Sequence, residues 1–202
     1  MSHPLKNKAL ILSYFTVGYN ILEGLVSIAA GALTGSVSLV GFGFDSFIES
    51  ISGSVMIWRF SAKIKDEEHE EEIERKASKF VGYSFFVLGA YILFESVKKL
   101  YLHVGPEPSI LGIIIAALSL IVMPFLAHLK YKTGKSMKSR SLVADSKQTF
   151  VCVLMSIALL LGTGVNFLFG FWWADAVTGL VFVLLCFKEG RESIQEGKLC
   201  CH

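Results

Sequence analysis

The stretch SVSLVGFGFDSFIESISGSVMIW, residues 36–58, places two acids, Asp45 and Glu49, inside an apolar run long enough to cross a bilayer. A charged side chain at membrane depth costs about 2.5–3.5 kcal/mol on insertion scales, so acids in such a segment usually mark function. Their i, i+4 spacing puts both carboxylates on one helix face, one turn apart. Two like charges so close repel unless a cation or a shared proton neutralises them. The stretch therefore predicts a buried cation site.

Long apolar blocks recur along the whole chain of 202 residues, 53% of which are apolar. Blocks of about 20 apolar residues are typical of membrane helices rather than of a soluble domain. We predict an all-α membrane protein with a six-transmembrane-helix bundle over residues 1–190, followed by a short cytoplasmic tail over 191–202. The six predicted spans are about 9–30, 36–59, 80–102, 109–129, 142–164 and 168–187.

Basic residues predict the orientation of these spans. Lysines and arginines concentrate in the N-terminus, in the connections 59–79 and 130–140, and in the C-terminal tail, which all lie on one side of a six-span topology. Because basic segments stay in the cytoplasm, both termini are expected to be cytoplasmic. The prediction is an integral, multi-pass protein of the cytoplasmic membrane, surrounded by the lipid bilayer.

A second polar pair, Gln148 and Cys152, lies in the fifth span at i, i+4 spacing. A divalent metal site needs three or four ligands that converge from rigid elements. Asp45 and Glu49 offer carboxylate oxygens, Gln148 a neutral carbonyl, and Cys152 a thiolate. Spacing alone leaves two other roles open, an interhelical hydrogen bond for Gln148 and a small buried apolar residue for Cys152. Asp145 shares their stripe and is expected to cap the helix or to hydrogen-bond a ligand.

The charged segment KIKDEEHEEEIERKASK, residues 63–79, is predicted to be a solvated extension of the third helix. Asp66 and His69 within it form a candidate weak surface metal site. Farther along the third helix, Glu95 is expected to pair with Lys98 and Lys99, because residues three and four apart are neighbours on a helix.

The stretch AGALTGSVSLVGFGFDSFIES, residues 30–50, resembles the first loop and second helix of the cation diffusion facilitators, which are six-helix metal/proton antiporters. Asp45 and Glu49 fall on that family's first ligand pair. The segment SLVADSKQTFVC, residues 141–152, resembles the family's fifth helix, where Gln148 falls on a histidine and Cys152 on an aspartate. Glu95, Asp175 at the start of the sixth helix, and Glu192 are further matches.

The resemblance implies a metal site made of Asp45, Glu49, Gln148 and Cys152, with Asn20 and Glu23 of the first helix lining the access path. Zinc is the favoured metal, but the altered ligand set leaves manganese, iron, cobalt, nickel and cadmium open. Exchange for protons and a homodimer are further implications. The family's large cytoplasmic C-terminal domain is expected to be absent, with only a tail ending Cys200-Cys201-His202.

The leading hypothesis is a transporter that exports a divalent metal from the cytoplasm in exchange for protons. A rival is a non-transporting member that binds metal, or nothing, and regulates another transporter. A third is a proton-coupled carrier of a small organic cation that uses the same acids. No nucleotide loop, nucleophile–base pair or haem or dinucleotide motif is present, so we expect neither an enzyme nor a nucleic-acid partner.

Overall fold

Six α-helices and no strands make up the part of the chain that the computed structural model describes, residues 3–61 and 67–199. The prediction of an all-α protein is confirmed, and Asp66 lies outside the described residues. The helices are α1 His3–Thr34, α2 Val37–Ser61, α3 Glu67–Leu102, α4 Ile110–Met137, α5 Arg140–Phe169 and α6 Ala174–Leu199.

Four of these helices are long and apolar enough to cross a membrane by length and composition: α1, α3, α4 and α5. The outer faces of the bundle carry large exposed apolar side chains, as expected for surfaces that contact lipid. Examples are Leu22, Val87, Ile121, Leu161 and Leu184. The fold is therefore an α-helical membrane bundle.

The helix α2 occupies the centre of the bundle, packing closely on α1 and contacting α3, α5 and α6. Small residues permit the closest approach, because a Cβ atom added at Gly43 would lie 2.9 Å from the carbonyl oxygen of Gly24. A helix with neighbours on so many sides turns its polar residues inward. The acids of α2, Asp45 and Glu49, are accordingly buried, which confirms the prediction that they face the interior.

An acid from α6 holds the N-terminal end of α2. The Asp175 carboxylate accepts hydrogen bonds from the backbone N–H groups of Val37 at 2.9 Å and Ser38 at 3.3 Å, and from the hydroxyls of Ser36 and Ser38. The Lys99 ammonium of α3 lies 4.0 Å from Asp175 Oδ2. The first N–H groups of a helix lack partners within it, so Asp175 satisfies donors that would otherwise be buried alone.

Two predicted connections were too long. Residues 31–34 belong to α1, so only Gly35 and Ser36 separate α1 from α2, and Gly35 makes the turn with φ 69°. The predicted basic loop 130–140 is mostly helical, because α4 continues to Met137 and ends in a left-handed Lys138. Ser139 then caps α5 by accepting a hydrogen bond from the Leu142 N–H at 3.4 Å.

The predicted start of the sixth helix at 168 was also wrong. The helix α5 runs to Phe169 and ends at Gly170, whose φ of 67° is left-handed, and α6 begins at Ala174. Apolarity alone did not reveal this turn, because its residues Phe171, Trp172 and Trp173 are as apolar as the residues of the flanking helices. From there α6 continues past residue 190, the predicted end of the membrane domain, to Leu199.

The predicted ion pairs of Glu95 with Lys98 and Lys99 in α3 are partly confirmed. Lys98 Nζ lies 3.2 Å from Glu95 Oε1, as expected. Lys99 points instead toward the α1–α2 turn, where it donates to the Gly35 carbonyl. The side chains of His69 and Glu71 lie outside the described residues, as do Cys200, Cys201 and His202.

Candidate functional site

Asp45 and Glu49 lie in the middle of α2 with exposed fractions of only 3% and 1%. Each keeps one carboxylate oxygen without a hydrogen-bond partner, Oδ2 in Asp45 and Oε2 in Glu49. Nearly all buried polar atoms in folded proteins have a partner, so two such oxygens one turn apart are unusual. The two carboxylates also repel one another when both are ionised, which favours binding of a cation or of protons at this position.

The helix α5 brings the second predicted pair to the same interior. Cys152 is 1% exposed, and it lies near enough to Asp45 for the two side chains to interact electrostatically. Gln148, one turn earlier, is also buried, and its Nε2 has no hydrogen-bond partner. Asp45 and Cys152 therefore face the same interior from α2 and α5.

The first helix contributes a third acid. Glu23 is buried, and its Oε2 accepts a hydrogen bond of 2.9 Å from the Ser46 hydroxyl of α2. Its other oxygen, Oε1, has no hydrogen-bond partner, and neither does the side-chain amide of Asn20. The Glu23 charge acts on both Asp45 and Cys152. The structure therefore places Glu23 beside the acids of α2.

A lysine that the sequence analysis assigned to a cytoplasmic connection lies inside the bundle. Lys130 of α4 is completely buried, and its Nζ lies 2.9 Å from Asp145 Oδ2 and 3.6 Å from Glu49 Oε1. The same Nζ donates to the Thr149 hydroxyl at 2.8 Å, and this hydroxyl in turn donates to Glu49 Oε1. Lys130 therefore links a residue of α2 to two residues of α5.

Asp145 serves this ion pair rather than a helix end. Its Oδ1 accepts a hydrogen bond of 3.0 Å from Ser52 of α2, while the cap of α5 is Ser139. The expectation that Asp145 caps the helix was thus wrong. Its side-chain partners are Ser52 and Lys130 rather than a predicted ligand, and only Lys130 connects it to Glu49. A buried ammonium needs such a partner, because removing an unpaired charge from water is costly.

The sequence contains a signal that identifies Lys130 as buried. It continues a stripe of inward-facing residues spaced three and four apart along α4, namely Met123, Leu126, Ala127, Lys130, Thr133 and Gly134. A position on the apolar stripe of a helix is a core position, whatever residue occupies it. The sequence prediction missed this core position because it grouped Lys130 with the basic residues that follow it.

The buried acids would carry a large excess of negative charge if all of them were ionised. We define the acidic cluster as Glu23, Asp45, Glu49 and Asp145; four ionised carboxylates against the single Lys130 ammonium leave three formal negative charges in excess. From α6, Cys186 and Glu189 also interact electrostatically with Asp45. Such an excess at this depth requires protons or a cation. Among the side chains that the structure describes, no three of His, Cys, Asp or Glu lie close enough together to hold a metal ion.

The helical bundle and its buried ionisable cluster define an integral, multi-pass membrane protein with a polar site at membrane depth. Residues 13–198 match the Cation efflux transmembrane domain. The chain therefore belongs to the cation efflux family, a class of membrane cation transporters.

Three relatives show the range of this similarity. Transmembrane protein 163 of Xenopus laevis is 24% identical over 95% of this chain and 68% of its own length. An uncharacterized transporter of Methanocaldococcus jannaschii is 30% identical over 90% of this chain and 64% of its own length. A cadmium, cobalt and zinc/H(+)-K(+) antiporter of Bacillus subtilis is 22% identical over 91% of this chain and 59% of its own length. The chain thus spans about two thirds of these relatives.

Proposed function

We propose that this chain carries a divalent metal cation across the membrane in exchange for protons, with Asp45, Glu49 and Cys152 as the principal ligands. Gln148 supplies a neutral fourth ligand from the turn before Cys152. The observation that carries the proposal is the acidic cluster, in which Asp45 Oδ2 and Glu49 Oε2 lack hydrogen-bond partners. A cation would neutralise the repulsion between these carboxylates, which burial strengthens by removing the screening effect of water.

Proton coupling follows from the chemistry of the ligands. Carboxylates and thiols bind a metal only after losing their protons, so metal binding releases protons and protonation expels the metal. A site that faces the cytoplasm would take up metal, and rocking of the helices would then expose it to the other side. Protons there would displace the metal, and the protonated site would return.

Zinc is the first metal to test. The mixture of carboxylate oxygens and a thiolate suits a borderline metal, and the Bacillus subtilis relative is named for zinc, cadmium and cobalt. Manganese, iron, nickel, cobalt and cadmium are the competing substrates. A thiolate ligand favours cadmium over manganese, so the order of preference across this panel tests the assignment of Cys152.

The proposed direction is export, with both termini in the cytoplasm. The basic residues at the ends of the helices support this orientation through the positive-inside rule, and labelling of single introduced cysteines by a membrane-impermeant reagent tests it. We further propose a homodimer through the exposed apolar face of α3, which includes Tyr83, Val87 and Phe94. Crosslinking from α3 in native membranes that gives only monomer would contradict the dimer.

The test of transport is metal flux into proteoliposomes that contain a trapped metal-sensing dye, under an imposed pH gradient. The wild type is compared with Asp45→Asn, which keeps the shape but not the charge of the ligand. Glu72→Gln is the matched control, since it removes an acid that pairs with Lys76 at 2.8 Å on the exposed part of α3. We expect flux to fall to the level of empty liposomes in Asp45→Asn and to persist in the control. Equal flux in both variants would exclude the proposed site.

Two observations favour the rival function, a non-transporting regulator of another transporter. Glu49 already contacts the Lys130 ammonium at 3.6 Å, and no three His, Cys, Asp or Glu side chains in the described part of the chain lie close enough together to hold a metal ion. The two functions differ in flux: a regulator would move no metal of the panel, with or without Asp45.

A further inference from the structure

The Lys130 side chain is a cation that the chain itself supplies to the candidate site. It reaches Glu49 of α2 and both Asp145 and Thr149 of α5 from the buried face of α4. The two acids differ in how they are held. Asp145 contacts the ammonium at 2.9 Å, and its other oxygen accepts from Ser52. Glu49 is 3.6 Å from the ammonium and keeps Oε2 without a partner.

This arrangement gives Glu49 two competing cations, the lysine and the transported metal. A divalent ion bound to Glu49 would lie close to the Lys130 ammonium, and like charges in a buried site repel strongly. Asp145 does not take part in this competition for the metal, because it binds the same ammonium and is not a proposed metal ligand. The ammonium can therefore move away from Glu49 and still keep its ion pair with Asp145 and its hydrogen bond to Thr149.

We propose that Lys130 is a tethered competitor of the metal, held by Glu49, Asp145 and Thr149 in the metal-free site and by Asp145 and Thr149 alone once metal binds Glu49. Lys130 is thus a positioning residue that lowers the affinity of the site and so allows bound metal to be released. It also connects metal occupancy to the contact that α4 makes with α2, since the ammonium leaves Glu49 of α2 while it keeps both partners on α5. This inference rests on the proposed function, in which Glu49 is a ligand.

The proposal makes two predictions of opposite sign. Asp145→Asn removes the alternative partner, so the ammonium stays on Glu49 and zinc binds more weakly. Lys130→Met combined with Asp145→Asn removes the competitor and its partner together, which leaves no unpaired lysine or Asp145 charge in the interior. Zinc should then bind at least about 10-fold tighter than in the wild type, a change in the range of ordinary coupling between sites.

The experiment is equilibrium zinc binding to the full chain in lipid nanodiscs, measured by competition with a fluorescent chelator. Lys130→Arg keeps the charge and should bind zinc within a few-fold of the wild type. The matched control is Lys132→Met, which removes an exposed lysine from the same helix. Size-exclusion profiles and thermal unfolding identify variants that fail to fold, and the opposite signs of the two Asp145 variants distinguish competition from loss of structure.

Each outcome decides between the two proposals. If zinc binds the wild type and Glu49→Gln weakens it, while the double variant binds no tighter, Lys130 is only structural and the inference fails alone. If neither the wild type nor the double variant binds zinc or any metal of the panel, the proposed function fails and takes the inference with it. If only the double variant binds metal, Lys130 blocks the site in the natural chain. The regulatory function is then favoured over transport, and the inference that metal displaces Lys130 from Glu49 fails.

Discussion

Buried acids are held in opposite ways at the N-terminal end of α2 and in its middle. At the N-terminal end, the Asp175 carboxylate accepts hydrogen bonds from two backbone N–H groups and two serine hydroxyls, and Lys99 lies beside it. In the middle, Asp45 and Glu49 each keep an oxygen without a partner and repel one another. Both regions are buried, and both lie between helices.

The difference separates a structural acid from a functional one. A carboxylate that accepts hydrogen bonds at both oxygens fixes a helix end and has little capacity left for a ligand. A carboxylate with an unused oxygen in an acidic surrounding costs stability, and a fold retains such a group where it serves a purpose. The comparison predicts that neutralising the two kinds of acid changes stability in opposite directions.

The largest expected effect on stability is at Asp175. Replacing it with Ala removes the cap of α2 and leaves serine hydroxyls and N–H groups unsatisfied, so we expect a loss of about 3 kcal/mol in the free energy of unfolding. Asp45→Asn should instead leave stability unchanged or raise it by about 1 kcal/mol, because it removes a repelling charge. Chemical denaturation of both variants in the same detergent measures the contrast. A destabilisation of similar size in both would show that the two regions do not differ.

A smaller effect is expected at Cys152, where it concerns selectivity rather than folding. Cys152→Ser exchanges a soft thiolate for a hard hydroxyl at nearly constant volume, so the preference for cadmium over manganese should fall about 10-fold. Competition flux with both metals in the same proteoliposomes measures this ratio. An unchanged ratio, with metal flux retained, would show that Cys152 is not a ligand. Cys186→Ser is the comparison variant, since Cys186 is also buried but is not a proposed ligand.

The sequence predicted the helices and the buried acids of α2, because long apolar blocks and i, i+4 spacing are local signals. It did not predict contacts that depend on which helices are neighbours. Asp175 was interpreted as an acid at the start of its own helix, whereas its carboxylate caps α2. Lys130 was grouped with exposed basic residues, although its stripe position on α4 is a core position.

The smallest expected effect on stability is at Ser46, which contacts Glu23 of the acidic cluster. Ser46→Ala removes the hydroxyl that donates to Glu23 Oε2 at 2.9 Å, and a hydrogen bond between membrane helices contributes about 0.6 kcal/mol on average. We expect a loss of that size in stability, measured by denaturation, with metal flux within a few-fold of the wild type. Ser50→Ala is the control, because the Ser50 hydroxyl donates only to the Ser46 carbonyl of its own helix. A complete loss of flux in Ser46→Ala alone would make Glu23 a ligand rather than a neighbour, since only a ligand needs its carboxylate held in one orientation.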